Sequence, residues 1–123
     1  MKKMLVVDDE IDVCDFVKNF FEERAFQVYT ALDGSEALRI IRKDKPDIIL
    51  LDIRMKGIDG IETLKRIREV DKDVKVIMVT AIEEQDKIDA AKKLNACDYI
   101  TKPLVLENLE SVVMSCVGEG KNV

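Results

Sequence analysis

Polar residues stand where four apolar runs stop. Asp8, Asp9 and Glu10 follow MLVV, Asp52 falls near the end of DIILLDI, Thr80 ends VKVIMVT, and Lys102 follows DYIT. Three adjacent acids repel one another, and folding alone asks for no such cluster, so a cation belongs beside them. Carboxylates gathered in one pocket raise each other's pKa unless positive charge relieves them. The sequence has no histidine and no suitably placed cysteine, which leaves oxygen ligands. Asp8, Asp9 and Asp52 therefore suit a hard divalent ion, Mg²⁺ with Mn²⁺ as the alternative, which keeps several waters and leaves room for a phosphate. The Lys102 ammonium and the Thr80 hydroxyl can hold phosphoryl oxygens that the metal does not reach. A metal, a carboxylate nucleophile and an ammonium clamp together suggest phosphoryl transfer to an aspartate.

Taken singly, each residue has a plainer use. Asp8 and Asp9 can cap the next helix, Asp52 can start a loop, and Thr80 can be the last β-branched residue of a strand. Lys-Pro is a common turn dipeptide, and Tyr99 is by default an amphipathic residue half in the core. The joint pattern carries the argument, because it depends on where the strands end.

Strand-length apolar runs alternate with helix-period segments along the whole chain. MLVV (4–7), FQVYTA (26–31), DIILLDI (47–53), VKVIMVT (74–80) and DYIT (98–101) read as strands. Their continuous apolar character is that of strands covered on both faces. Between them, Val13, Phe16, Val17, Phe20 and Phe21 lie at helical spacing on one face. Ala37, Leu38 and Ile41 mark a second helix, stopped ahead of Pro46, and Ile61, Leu64 and Ile67 a third, after a loop holding Gly57 and Gly60. The segment 83–94 is polar, with only Ile88, Ala91 and Leu94 as an apolar stripe, so the fourth helix is the most weakly anchored. Leu106, Leu109, Val112, Val113 and Cys116 form the fifth. Five such units give an α/β fold, a single doubly wound (βα)5 domain with a flavodoxin-like parallel sheet in the order 2-1-3-4-5. In that arrangement the carboxyl ends of all strands share one edge, and Asp8, Asp9 and Asp52 flank the crevice at the switch point between the first and third strands.

Composition bounds the rest. The 123 residues, 47% of them hydrophobic, suit one domain with one core. A net charge of −5 and a pI near 4.9 repel nucleic-acid phosphates and anionic membranes. The basic start is too short for a signal peptide or a membrane span, so the expected location is cytoplasmic. Cys14, Cys97 and Cys116, odd in number and without CxxC spacing, are expected to be reduced, buried thiols.

With those residues in place, the chain resembles the receiver domain of two-component response regulators, the CheY-like family, from about Lys3 to Val117. The acidic pair is Asp8-Asp9, the phosphoacceptor Asp52 within LLDIRMKGIDG, the hydroxyl residue Thr80 followed by Ala81, and the lysine Lys102 in DYITKP. The resemblance implies that Asp9 and Asp52 ligate Mg²⁺ with the backbone carbonyl of Arg54, Asp8 helping through a water. It implies that Asp52 takes the phosphoryl group from the phosphohistidine of a sensor histidine kinase or phosphotransfer protein and later loses it by self-dephosphorylation. The protein is then a signalling phosphoacceptor and not an enzyme acting on an outside substrate. A cis peptide between Lys102 and Pro103 is implied as well, as is a switch in which Thr80 and Tyr99 reshape the face of the fourth helix, fifth strand and fifth helix for a protein partner, an output domain or a second copy. The resemblance also implies that Arg54 and Ile82 occupy positions that tune the lifetime of the phosphoryl group.

Two departures stand out. Met55-Lys56 replaces the family's Met-Pro, and Asn95-Ala96 replaces a glycine before the last strand, where Asn best tolerates a left-handed backbone. Residues 1–117 read as the receiver and 118–123 as a tail or the start of a linker, with stand-alone function the favoured reading. Two rivals differ in class. A haloacid-dehalogenase-type phosphohydrolase needs DxD after its first strand, where this chain has Asp8-Asp9-Glu10. A binding module that is never phosphorylated has no need of the full set of Asp8, Asp9, Asp52, Thr80 and Lys102.

Overall fold

The computed structural model describes residues 1–55, 57–80 and 85–118. Among them five strands alternate with five helices: β1 (Lys2–Val7), α1 (Ile11–Glu22), β2 (Phe26–Ala31), α2 (Gly34–Asp44), β3 (Ile48–Asp52), α3 (Gly60–Val70), β4 (Lys75–Thr80), α4 (Gln85–Lys93), β5 (Asp98–Thr101) and α5 (Leu106–Cys116). The sheet runs β2-β1-β3-β4-β5, with every pairing parallel. The expected order and layering are therefore observed.

Alternation along the strands sorts the core into two layers, since successive side chains point to opposite faces. Met4, Val6, Ile48, Leu50 and Ile77 pack with Cys14, Val17 and Phe21 of α1 and with Leu109, Val113 and Cys116 of α5. Leu5, Val7, Ile49, Leu51, Val76 and Met78 face Ala37, Leu38 and Ile41 of α2, Leu64 and Ile67 of α3, and Ala91 of α4. β3 is buried at all five positions. Each such side chain adds roughly 1.5–3 kcal/mol when withdrawn from water, which fixes β3 and the residue at its end.

The helix starts are set locally. Asp33 and Asp59 cap α2 and α3, each accepting a hydrogen bond from the backbone N–H three residues on, Glu36 at 2.8 Å and Glu62 at 2.9 Å. Asn95 adopts φ 63°, so the left-handed turn before β5 is made without glycine. The Arg68 guanidinium donates to the carbonyls of Leu94, Asn95 and Val74, tying the end of α4 and the start of β4 to α3. No helix among the described residues is long and apolar enough to cross a membrane.

Two expectations need correction. Phe16 lies 52% exposed; of the face read in the sequence Val17 and Phe21 are buried and Val13 and Phe20 pack partly buried against the same layer, which Cys14 joins. The cysteines are not three buried thiols: Cys97 and Cys116 are joined as a disulfide, Cys97 is exposed, and Cys14 alone is a free, buried thiol. The topology brings the start of β5 beside the end of α5, a meeting that no local spacing encodes.

Candidate functional site

The carboxyl ends of β1, β3 and β4 form one rim. Asp8 follows β1 directly and is held by its own N–H donating to the Ala31 carbonyl at 3.1 Å, while its Oδ1 accepts from the Glu10 N–H at 2.9 Å. Asp8 thus also closes the turn before α1, whose N-cap, Glu10, has no side-chain cap. Asp52 ends β3, and its Oδ1 accepts from the Arg54 N–H at 3.1 Å. Asp8 and Asp52 are 3% and 4% exposed; Asp9 is the more open of the three. One oxygen from each of Asp8, Asp9 and Asp52 falls within 4.8 Å of the others. The cluster contains neither nitrogen nor sulfur donors, the chemistry of a hard-cation site.

A close backbone approach keeps Asp52 in place. A Cβ at Gly60 would strike the Asp52 carbonyl oxygen and come within 2.6 Å of Ile53 Cα, so α3 can start against the end of β3 only with glycine there. The Gly60 N–H donates to the Ile53 carbonyl at 2.8 Å, closing the intervening loop, in which Gly57 takes φ 80°. The sequence displayed both glycines, but the contact that requires Gly60 is tertiary.

Lys102 enters from the far side of the crevice. The Lys102–Pro103 peptide is cis, and the Lys102 N–H donates to the Thr80 carbonyl at 2.7 Å. Its Nζ lies 3.0 Å from Asp52 Oδ2, 3.1 Å from Asp8 Oδ2 and 3.7 Å from Glu10 Oε1. Glu10, the third acid of the opening run, therefore faces the lysine and stands apart from the cluster of three. Thr80 is fully buried at the end of β4, and Tyr99 on β5 is 41% exposed. Ala81, Ile82 and Lys56 lie outside the described residues.

The charges are tightly linked. Burial raises the Asp52 carboxyl above the ordinary aspartate value; the hydrogen bond from Lys102 opposes that rise and the charge of Asp8 adds to it. Burial works against the Lys102 ammonium, but its bonds to Asp52 and Asp8 prevail and hold it above the ordinary lysine value. Beside the crevice a groove of about 220 Å³ is lined by Val13, Phe16, Lys102, Pro103 and Leu104.

Residues 4–114 match the model of the response regulator receiver domain. Sporulation initiation phosphotransferase F of Bacillus subtilis is 36% identical over 112 residues, which are 91% of this chain and 90% of that protein. The transcriptional regulatory protein PrrA of Mycobacterium tuberculosis is 39% identical over 107 residues; they make up 87% of this chain but only 46% of PrrA. The chain thus spans nearly all of one relative and under half of the other. Among solved structures, a two-component response regulator from Clostridium difficile superposes over the whole of both chains with a TM-score of 0.92 and 32% identity. A CheY-like receiver domain protein from Methanospirillum hungatei reaches 0.93 with 26% identity, covering 97% of this chain and 95% of its own.

Proposed function

The chain belongs to the response regulator receiver domain family, and from that premise we propose that Asp52 accepts a phosphoryl group from a phosphohistidine donor, with Mg²⁺ as cofactor. The observation that carries this reading is the convergence of Asp8, Asp9 and Asp52 within 4.8 Å beside an ammonium 3.0 Å from the acceptor carboxylate. The three carboxylates and the Arg54 carbonyl would hold the metal, which supplies charge to draw in and neutralise phosphoryl oxygens.

The chain's own residues do the remainder. An oxygen of the ionised Asp52 carboxylate attacks phosphorus in line, the phosphorus–nitrogen bond breaks, and the imidazole leaves with its electron pair. Lys102, which bridges Asp52 and Asp8 before the reaction, passes to a phosphoryl oxygen as the Asp52 charge is consumed. The Thr80 hydroxyl donates to another. Loss of the phosphoryl group to water returns the domain to its starting state, at a rate tuned by Arg54 and Ile82.

The new charge on Asp52 draws on Thr80 and Lys102, both at the edge of β4 and β5, and so biases the α4-β5-α5 surface on which Tyr99 stands. A protein target, an output domain or a second copy would read that surface. The apolar groove at Phe16 and Pro103 suits the side of a donor helix arriving at Asp52. The receiver extends over 1–117, works in the cytoplasm, and makes no direct nucleic-acid contact, its charge being negative. Incubation with acetyl phosphate and Mg²⁺ followed by intact mass tests the core of this reading. Wild type should gain one phosphoryl group and Asp52→Asn none; a gain retained in Asp52→Asn would overturn it.

A further inference from the structure

Two cysteines lie outside the acidic crevice, yet they bracket the segment that carries its lysine. Cys97 stands just before β5, exposed, with its N–H donating to the Val76 carbonyl at 2.7 Å. Cys116 is the last residue of α5, 3% exposed, and packs in the layer that includes Leu109, Val113 and Phe21. Their Cα atoms are 6.1 Å apart, inside the span of roughly 4.4–6.8 Å that a disulfide bridges without moving the backbone. The bond closes a ring over a separation of 19 residues, enclosing Tyr99, Lys102, Pro103 and nearly all of α5.

We propose that Cys97 and Cys116 are a reversible thiol–disulfide site, oxidised by low-molecular-weight disulfides, whose closure pins the last turn of α5 to the start of β5. In a reducing compartment such pairs are transient and redox-sensing. The difference in exposure assigns the roles. The Cys97 thiolate, the accessible one, attacks a sulfur of the oxidant; the oxidant's S–S bond breaks, one small thiol leaves with the electron pair, and Cys97 holds a mixed disulfide. Cys116 then gives up its proton and attacks the Cys97 sulfur from inside, expelling the second small thiol. Two protein thiols lose two electrons in all, and one small disulfide becomes two thiols.

The closed form matters because the ion pair that ties α5 to α1, Arg24 Nε to Glu110 Oε2 at 3.1 Å, lies more than a turn before Cys116. The buried residues of α5 are Leu109, Val113 and Cys116, its first turn has no side-chain cap, and its last turn has no basic residue to meet the helix dipole. Oxidation adds a covalent tie to the packing of that end. The site does not depend on the phosphoryl-transfer reading, since neither sulfur is among the crevice residues.

The test compares the full chain equilibrated with oxidised glutathione and with dithiothreitol, then acid-quenched, denatured, labelled with N-ethylmaleimide and weighed. Of the three cysteines, all should take label after reduction and only Cys14, the free buried one, after oxidation. Oxidised Cys116→Ser should retain glutathione on Cys97, whereas Cys97→Ser should carry none on Cys116. Amide exchange over 112–117 should be about tenfold slower in the oxidised wild type. Three labels after oxidation, glutathione on Cys116 in Cys97→Ser, or equal exchange in both forms would each overturn the proposal.

Discussion

β3 and β5 both end at the rim that holds the polar residues, yet they are built in opposite ways. β3 lies in the middle of the sheet and is buried at every position, whereas β5 is the edge strand, pairs only with β4 and is buried at none. The Asp52 carboxylate therefore sits at the end of a fully buried strand, and the ammonium beside it comes from the residue that follows an exposed one. Moving a lysine on an edge strand disturbs few packed side chains, while moving Asp52 would disturb both layers of the core. On the proposed reading, a change of charge at the rim is relieved on the β5 side.

The sharpest way to break this contrast is to truncate one side chain on each strand. Leu51→Ala should cost about 3 kcal/mol of stability in denaturant unfolding, since Leu51 is fully buried; Ile100→Ala, half-buried on β5, should cost about half as much or less. Equal losses would remove the distinction. Next in size is the role of the cation itself. Lys102→Ala should slow phosphoryl uptake from acetyl phosphate about 10²-fold, as loss of a preorganised charge in a crevice does; an unchanged rate would leave the edge strand without a chemical part.

Arg68 ties α3 to the approach to β5 through the carbonyls of Leu94 and Asn95. Arg68→Ala strands carbonyls of Leu94, Asn95 and Val74 that now receive its N–H groups, and it should cost about 1–3 kcal/mol, with faster amide exchange over 91–97 and little change in β3. The smallest effect is a pH dependence. Burial first, and the charge of Asp8 with it, puts the folded Asp52 carboxyl above its ordinary value of 3.8. The folded state thus binds that proton more readily than the unfolded chain does, and stability falls as pH rises through the interval between the two values. Without Mg²⁺, Asp52→Asn should melt above wild type at pH 7, and the gap should close as the pH is lowered toward 3.8; a gap that widens would reverse the sign assigned to Asp52.

The same contrast explains what could be read from the sequence. Buried parallel strands write themselves as continuous apolar runs, so the residues that end them, Asp8, Asp52, Thr80 and Lys102, mark the rim in the sequence itself. Asn95 was legible because few other residues accept its backbone angle. What stayed hidden depends on which surfaces meet. Phe16 has the helical spacing of a core residue but lies half exposed on the wall of the groove beside Lys102 and Pro103. Glu10 looks like a third member of the acid cluster and instead faces Lys102. Cys97 and Cys116, separated by 19 residues, become neighbours only when α5 folds back along β5.

The abutment at Gly60 has a further consequence. With the first residue of α3 set against the main chain of Asp52 and hydrogen-bonded to Ile53, the loop between them hangs from a neck whose two sides are already fastened. Apart from Arg54, whose N–H donates to the Asp52 carboxylate, its composition can drift without carrying Asp52 along. The insulation is local and architectural: the joint is welded, and the sequence beyond it is free to be rewritten for another purpose.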